Sequence, residues 1–191
     1  THEVYPDGAE CELAGGYGNW VLRNMVYLIE HAEMAGCSNE LPDDFKAHTE
    51  KMFDYLLSVA MPDGRMPGLN DSGNAAVTDL LRIGHELFPH RGDFEYVASR
   101  RKRGRVPPFT SRALPWSGHY VMRTGWGEDD LFMLVDSGPY GSAHQHEDKL
   151  HFVLFGYGRQ LILDPGNYSY DASRWRQYVL TTPGHNTVLV D

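Results

Sequence analysis

The sequence predicts an α+β chain in which helices come first and antiparallel strands follow. From about residue 18 to 100, apolar residues recur at intervals of three and four, the spacing of helices with one buried face. From Trp116 onward the apolar runs are short, aromatic and β-branched, and are bounded by Gly, Asp and Pro, which is strand patterning. An Arg/Lys/Gly/Pro stretch from Arg100 to Pro108 lies between them. It divides the chain into a helical part, 1–105, and a strand part, 106–191. Helices followed by strands are the mark of α+β architecture or of two separate domains.

The first helix is expected in GNWVLRNMVYLIEHAEMAG, where Trp20, Val21, Met25, Leu28, Ile29 and Ala32 form one face and Gly36 is a natural stop. A second should start at the Pro42-Asp43-Asp44 cap, bury Met52, Phe53, Leu56, Leu57 and Ala60, and end at the turn Pro62-Asp63-Gly64. A third is expected over Ala75 to Phe88 and a shorter fourth over Phe94 to Arg101. Asp71-Ser72-Gly73-Asn74 reads as a helix-start cap. Short turns between such helices favour antiparallel hairpins. Strands are expected in HYVMRT, DLFMLVDSG, KLHFVLFGYG, RQLILD and NTVLVD.

Hydrophobic content of 41% with 12% aromatics, in 191 residues, suits a globular protein with a real core. No apolar run reaches the roughly 20 residues needed to span a bilayer. A formal net charge of −9 argues against general nucleic-acid binding. The basic block Arg100, Arg101, Lys102, Arg103 and Arg105 is either a solvated linker or a patch for an anionic polymer. Cys11 and Cys37 have neither knuckle nor framework spacing. The chain begins at Thr1 and stops in an apolar run, so it is expected to be a piece of a longer protein with exposed apolar edges.

Chemistry concentrates late in the sequence. His144 and His146 are two apart and share a face of an extended strand. Asp164 ends an apolar run before Pro165-Gly166, and His185 opens the final one. Imidazoles and a carboxylate at strand edges can form the first shell of a zinc-like ion, or can simply hydrogen-bond in a polar cleft. Tyr17 stands where a Gly-rich loop enters the first helix. A phenol there either packs or, with its pKa lowered by neighbouring cations, moves a proton. The sequence has no Gly-rich phosphate loop and no nucleophile elbow.

GHYVMRTGW, DSGPYGSAHQHEDKLHFVLFGYGRQLILDPGNYSYD, WRQY and TTPGHNTVLVD, in that order, resemble the C-terminal module of the heparinase II/III-like polysaccharide lyases. DGAECELAGGY resembles the family's upstream segment DGxxxExxxxY, and GLNDSGN resembles a loop between its last toroid helices. The resemblance covers most of the chain. It implies an incomplete (α/α) toroid followed by an antiparallel β-sandwich, with an acidic polysaccharide between them. It further implies β-elimination on a uronic-acid-containing polymer, in the periplasm or outside the cell.

By the same resemblance His146, Asp164 and His185 would be metal ligands, for a zinc ion with a mainly structural role. Tyr17 and His144 would be the proton-transfer pair, and Arg123, Tyr168 and Arg176 the substrate contacts. The residue that engages the uronate carboxylate would lie upstream, outside this chain. Two other functions are compatible with the same residues. One is a metal-dependent glycan hydrolase; the other is a non-catalytic module binding an acidic glycan. No feature of the sequence selects an oligomeric state, an endo or exo mode, or one particular polymer.

Overall fold

The computed structural model describes residues 3–190. Its elements in order are α1 (Gly15–Met34), α2 (Phe45–Val59), α3 (Thr78–Leu87), α4 (Gly92–Ala98), β1 (Ser111–Leu114), β2 (His119–Arg123), β3 (Phe132–Asp136), β4 (His151–Gly156), β5 (Arg159–Ile162) and α5 (Arg174–Leu180). The strands form one antiparallel sheet in the order β1-β2-β3-β4-β5. The chain is therefore α+β, as expected. Among the described residues the strand part supplies one sheet, a single layer of the expected sandwich. Among the described residues no helix is long and apolar enough to cross a membrane.

One hydrophobic core joins the two parts. Phe53, Leu56 and Leu57 of α2, Leu80 and Leu81 of α3 and Phe94 of α4 meet Val121, Phe132, Leu134, Val153 and Phe155 from the sheet. Period-two alternation places these strand residues on the inner face. The ladder register then sets His119 opposite Asp136, and Asp136 opposite His151. A buried polar row thus ends the apolar one. Tyr55 of α2 meets that row, with its hydroxyl 2.9 Å from His119 Nδ1. On the opposite face of the sheet Tyr120 and Met122 are exposed, an apolar surface of the kind a sandwich layer covers.

Four details depart from the sequence-based expectations, the first being that α1 buries Leu22 and Val26 with Ile29 and Ala32 and leaves Trp20 and Leu28 of the expected face exposed. β1 and α5 were not predicted: SRAL has no aromatic or β-branched residue and buries only Leu114, and α5 buries Arg176 and Val179 and so shows no apolar face. Residues 187–190, expected as a strand, have no ladder partner and leave Val188, Leu189 and Val190 exposed. A strand without a neighbour has nothing to satisfy its backbone. Asp71 does not cap a helix, since α3 starts at Thr78 with Val77 at its N-cap. The basic block agrees with the solvated-linker reading: it is largely exposed, with local ties from Arg101 to Pro62 O at 2.9 Å, Arg103 to Glu95 at 3.2 Å and Arg105 to His90 O at 3.2 Å.

A second ionic cluster locks α4 onto α2. Arg91 bonds Asp93 at 3.0 and 2.8 Å, Asp54 at 2.5 Å and Glu50 at 2.9 Å. Burial alone would raise the Asp93 pKa, but the Arg91 guanidinium outweighs it and holds the carboxyl below its ordinary 3.8. A depressed folded-state pKa gives stability that is present above the unfolded value and lost as pH falls through the folded one. Asp93→Asn should therefore lower the unfolding free energy at pH 7 by about 1–3 kcal/mol. Urea denaturation should show the gap closing as pH drops below 3.8; a gap indifferent to pH would refute the role given to the charge.

Candidate active site

The site is built around the loop 67–74, between α2 and α3. Asn70, Asp71 and Ser72 are all buried. Ser72 Oγ accepts the Gly16 N–H at 2.8 Å and so seats the first turn of α1, which carries Tyr17. Asn70 Oδ1 accepts the His146 N–H at 2.9 Å, and the Asp71 N–H donates to His144 O at 3.2 Å. These bonds draw the 144–146 segment against the helical part. Gly166 completes the seat. Its φ of 64° and a would-be Cβ 2.6 Å from Ser72 O leave room for glycine only. The turn that follows Asp164 can therefore pack on the same loop.

Asp71 is the hub. Arg176 of α5 grips it with a bidentate fork, Nη1 to Oδ1 at 2.5 Å and Nη2 to Oδ2 at 2.8 Å. His146 Nε2 lies 2.9 Å from Oδ1, and His144 Nδ1 lies 3.1 Å from Oδ2. Burial alone would raise the Asp71 pKa; the bonds from Arg176, His146 and His144 outweigh it and hold the carboxyl far below the ordinary range. An ionised carboxylate accepts only, so both rings donate to it. Each then turns its other nitrogen elsewhere, His144 its Nε2 and His146 its Nδ1.

Tyr17 and His144 stack, with ring centroids 3.9 Å apart and planes 17° from parallel. Tyr170 links them: its hydroxyl is 2.9 Å from that of Tyr17 and 3.3 Å from His144 Nδ1. His144 is held at φ 64°, a conformation that costs a non-glycine residue about 1 kcal/mol or more and that clusters at functional sites. A phenol and an imidazole so placed can pass protons to and from a molecule lying against them. The half-exposed Tyr17 also borders a hollow with Glu12 and the exposed Trp20.

Beside this pair, His146, Asp164 and His185 form a buried group whose candidate ligand atoms all lie within 4.8 Å of one another. His185 Nδ1 is 2.9 Å from Asp164 Oδ2. His146 Nδ1 and His185 Nε2 are buried with no hydrogen-bond partner. Unsatisfied buried nitrogens are costly, and an ion would satisfy them. Burial also lowers the His146 pKa, keeping the ring in the neutral form that ligates. With Nε2 bound to Asp71, His146 shows the carboxylate–histidine arrangement of metal centres. The residues present fit a metal ion.

The sequence-predicted residues are not all brought together. Tyr17, His144, His146, Asp164 and His185 gather within the two adjoining groups just described. Tyr168 is exposed, at φ 53°, on the segment that leads to Tyr170. Arg176 reaches the site, but its fork is occupied by Asp71, so it braces the cluster rather than standing free for substrate. Arg123 is elsewhere: it is buried over Trp126 at 3.7 Å and donates to Ser58 O at 2.7 Å. Burial pushes its pKa down to about 9, and it shares no contact with the Tyr17–His144 pair. Asp71, Tyr170 and His151, whose Nε2 lies 3.1 Å from Asp164 Oδ2, are the site residues that sequence reasoning missed. For Asp71 a signal existed, because GLNDSGN resembles a family loop between toroid helices.

Family models match both parts of the chain: Heparinase II/III N-terminus over residues 1–96, and Heparinase II/III-like, C-terminal, over residues 106–191. The chain is 29% identical over 196 residues to the heparin-sulfate lyase of Bacteroides stercoris. It is 28% identical over 199 residues to that of Pedobacter heparinus. Each alignment covers 99% of this chain but only 29% and 30% of the relative, so the chain spans about 30% of their length. A crystal structure of the heparan sulfate lyase from Pedobacter heparinus matches with a TM-score of 0.90 and 27% identity, over 97% of this chain and 30% of that one. With both halves matched in sequence and the structures agreeing across the joint, the chain belongs to the heparinase II/III family.

Proposed function

We propose that the protein to which this chain belongs is a polysaccharide lyase that cleaves a uronic-acid-containing acidic polysaccharide by β-elimination. The observation that carries this reading is the Tyr17–His144 stack, anchored by Asp71. Elimination takes the C5 proton beside the uronate carboxylate and expels the C4 glycosidic oxygen. It needs a base at one atom and an acid near the other. His144, with Nδ1 donating to Asp71, has Nε2 free to accept a proton, while the Tyr17 hydroxyl can donate one. The names of the relatives, heparin-sulfate lyases, favour a heparan-type polymer as substrate.

Zinc is the ion proposed for His146, Asp164 and His185, a nitrogen and oxygen donor set that suits it. When bound it supplies a fixed positive charge that braces the segment carrying His144. The chain's own residues move the protons. A group that neutralises the uronate carboxylate as charge develops is also required, and Arg176, with its fork on Asp71, is not free to be that group. The test is to incubate the full-length protein with heparan-type polymers and follow the near-ultraviolet absorbance of an unsaturated uronate. His144→Ala should lower turnover by about 10²- to 10⁴-fold. A saturated product would mean hydrolysis, and binding without cleavage a carbohydrate-binding role; either result overturns the proposal.

A further inference from the structure

We propose that His151 is a positioning residue for the metal centre of His146, Asp164 and His185, protonated at Nε2 and orienting the Asp164 carboxylate without binding the ion. The inference rests on the reading that these three residues hold a metal. His151 opens β4 and is fully buried. Its Nδ1 accepts the backbone N–H of Asn186 at 3.0 Å. A ring nitrogen that accepts has no proton, so a neutral His151 carries its hydrogen on Nε2. That atom stands 3.1 Å from Asp164 Oδ2, at an angle short of a hydrogen bond, and has no other partner.

A ligand role fits this geometry poorly. An imidazole that binds a metal through one nitrogen normally donates from the other, whereas Nδ1 of His151 faces a donor. Ligation through Nε2 would leave the ring without any proton. A modest rotation of either side chain instead completes an Nε2–H bond to Asp164, whose other oxygen already accepts the Gly166 N–H at 2.8 Å. The Asn186 contact serves a second ligand, because Asn186 follows His185. Its side chain donates to Phe152 O at 3.2 Å and Leu163 O at 2.8 Å. His151 and its neighbours in β4 thereby hold the backbone that presents His185.

Zinc affinity of the full-length protein, measured by competition with a chromogenic chelator, tests this. His151→Phe removes both polar atoms and should weaken zinc binding by about 10- to 100-fold. His151→Gln restores a donor near the Nε2 position and should recover affinity to within a few-fold of wild type. With cobalt(II) in place of zinc, the ligand-field absorption of His151→Gln should match that of wild type, since no ligand has been lost. If His151→Phe fails to fold, the His151→Gln affinity and spectrum decide alone. Wild-type affinity in His151→Phe overturns the proposal, as does a His151→Gln protein with weak binding or an altered cobalt spectrum. A wild-type protein that binds neither metal refutes instead the metal centre on which the proposal rests.

Discussion

Replacing Asp71 with asparagine should cost the full-length protein about 10²- to 10⁴-fold in turnover. The expectation follows from what the carboxylate holds. It fixes the protonated nitrogen of His144, so that Nε2 is left for the proposed base role, and that of His146, so that Nδ1 faces the proposed metal position. An amide at position 71 can donate to either ring and stabilise the opposite tautomer. Asp71→Ala should be worse for the fold, because Arg176 would remain buried without its partner. Breaking such a pair costs about 3–5 kcal/mol. Denaturation curves and steady-state kinetics on both variants provide the check. Near wild-type turnover in Asp71→Asn would show that the hub has no part in the chemistry.

Tyr17→Phe should separate chemistry from folding more cleanly. The substitution keeps the ring that stacks on His144 and removes only the hydroxyl bonded to Tyr170. Loss of one partly exposed hydrogen bond is worth about 0.5–1.5 kcal/mol of stability. If the phenol transfers the proton, turnover should fall by about 10²- to 10⁴-fold with an almost unchanged Tm. A variant with a large loss of stability, or one with full turnover, would each contradict that role.

Helices α1 to α3 were legible because each repeats an apolar face over two or more turns, and they stand close to where that spacing called for them. Helix α1 is rotated, however, so that Leu22 and Val26 are buried with Ile29 and Ala32 while Trp20 and Leu28 are exposed. The inner strands β2 to β4 were legible as short aromatic and β-branched runs bounded by Gly, Asp and Pro. β1 and α5 were not, since SRAL has no aromatic or β-branched residue and α5 buries an arginine beside Val179, although Ser173 caps α5 by accepting the Arg176 N–H. The expected final strand had the right residue types at 187–190 but lacks a neighbouring strand. Pairing is a property of two segments, and one segment's composition cannot supply it.

For the site, the sequence by itself singled out His144, His146, Asp164, His185 and Tyr17 by residue type and by the order of the family's motifs. The segment 144–146 is nonetheless irregular, with His144 in a turn at φ 64°, and not the extended strand expected. It also determined the order of helices before strands. Only the tertiary structure decided the partnerships. Asp71 and Arg176, 105 residues apart, meet because α5 packs against the loop 67–74. Arg123, in an equally family-like segment, turns instead into the core over Trp126. A hydrogen bond depends on atoms within about 3 Å of each other, and distant segments reach that range only when packing brings them there.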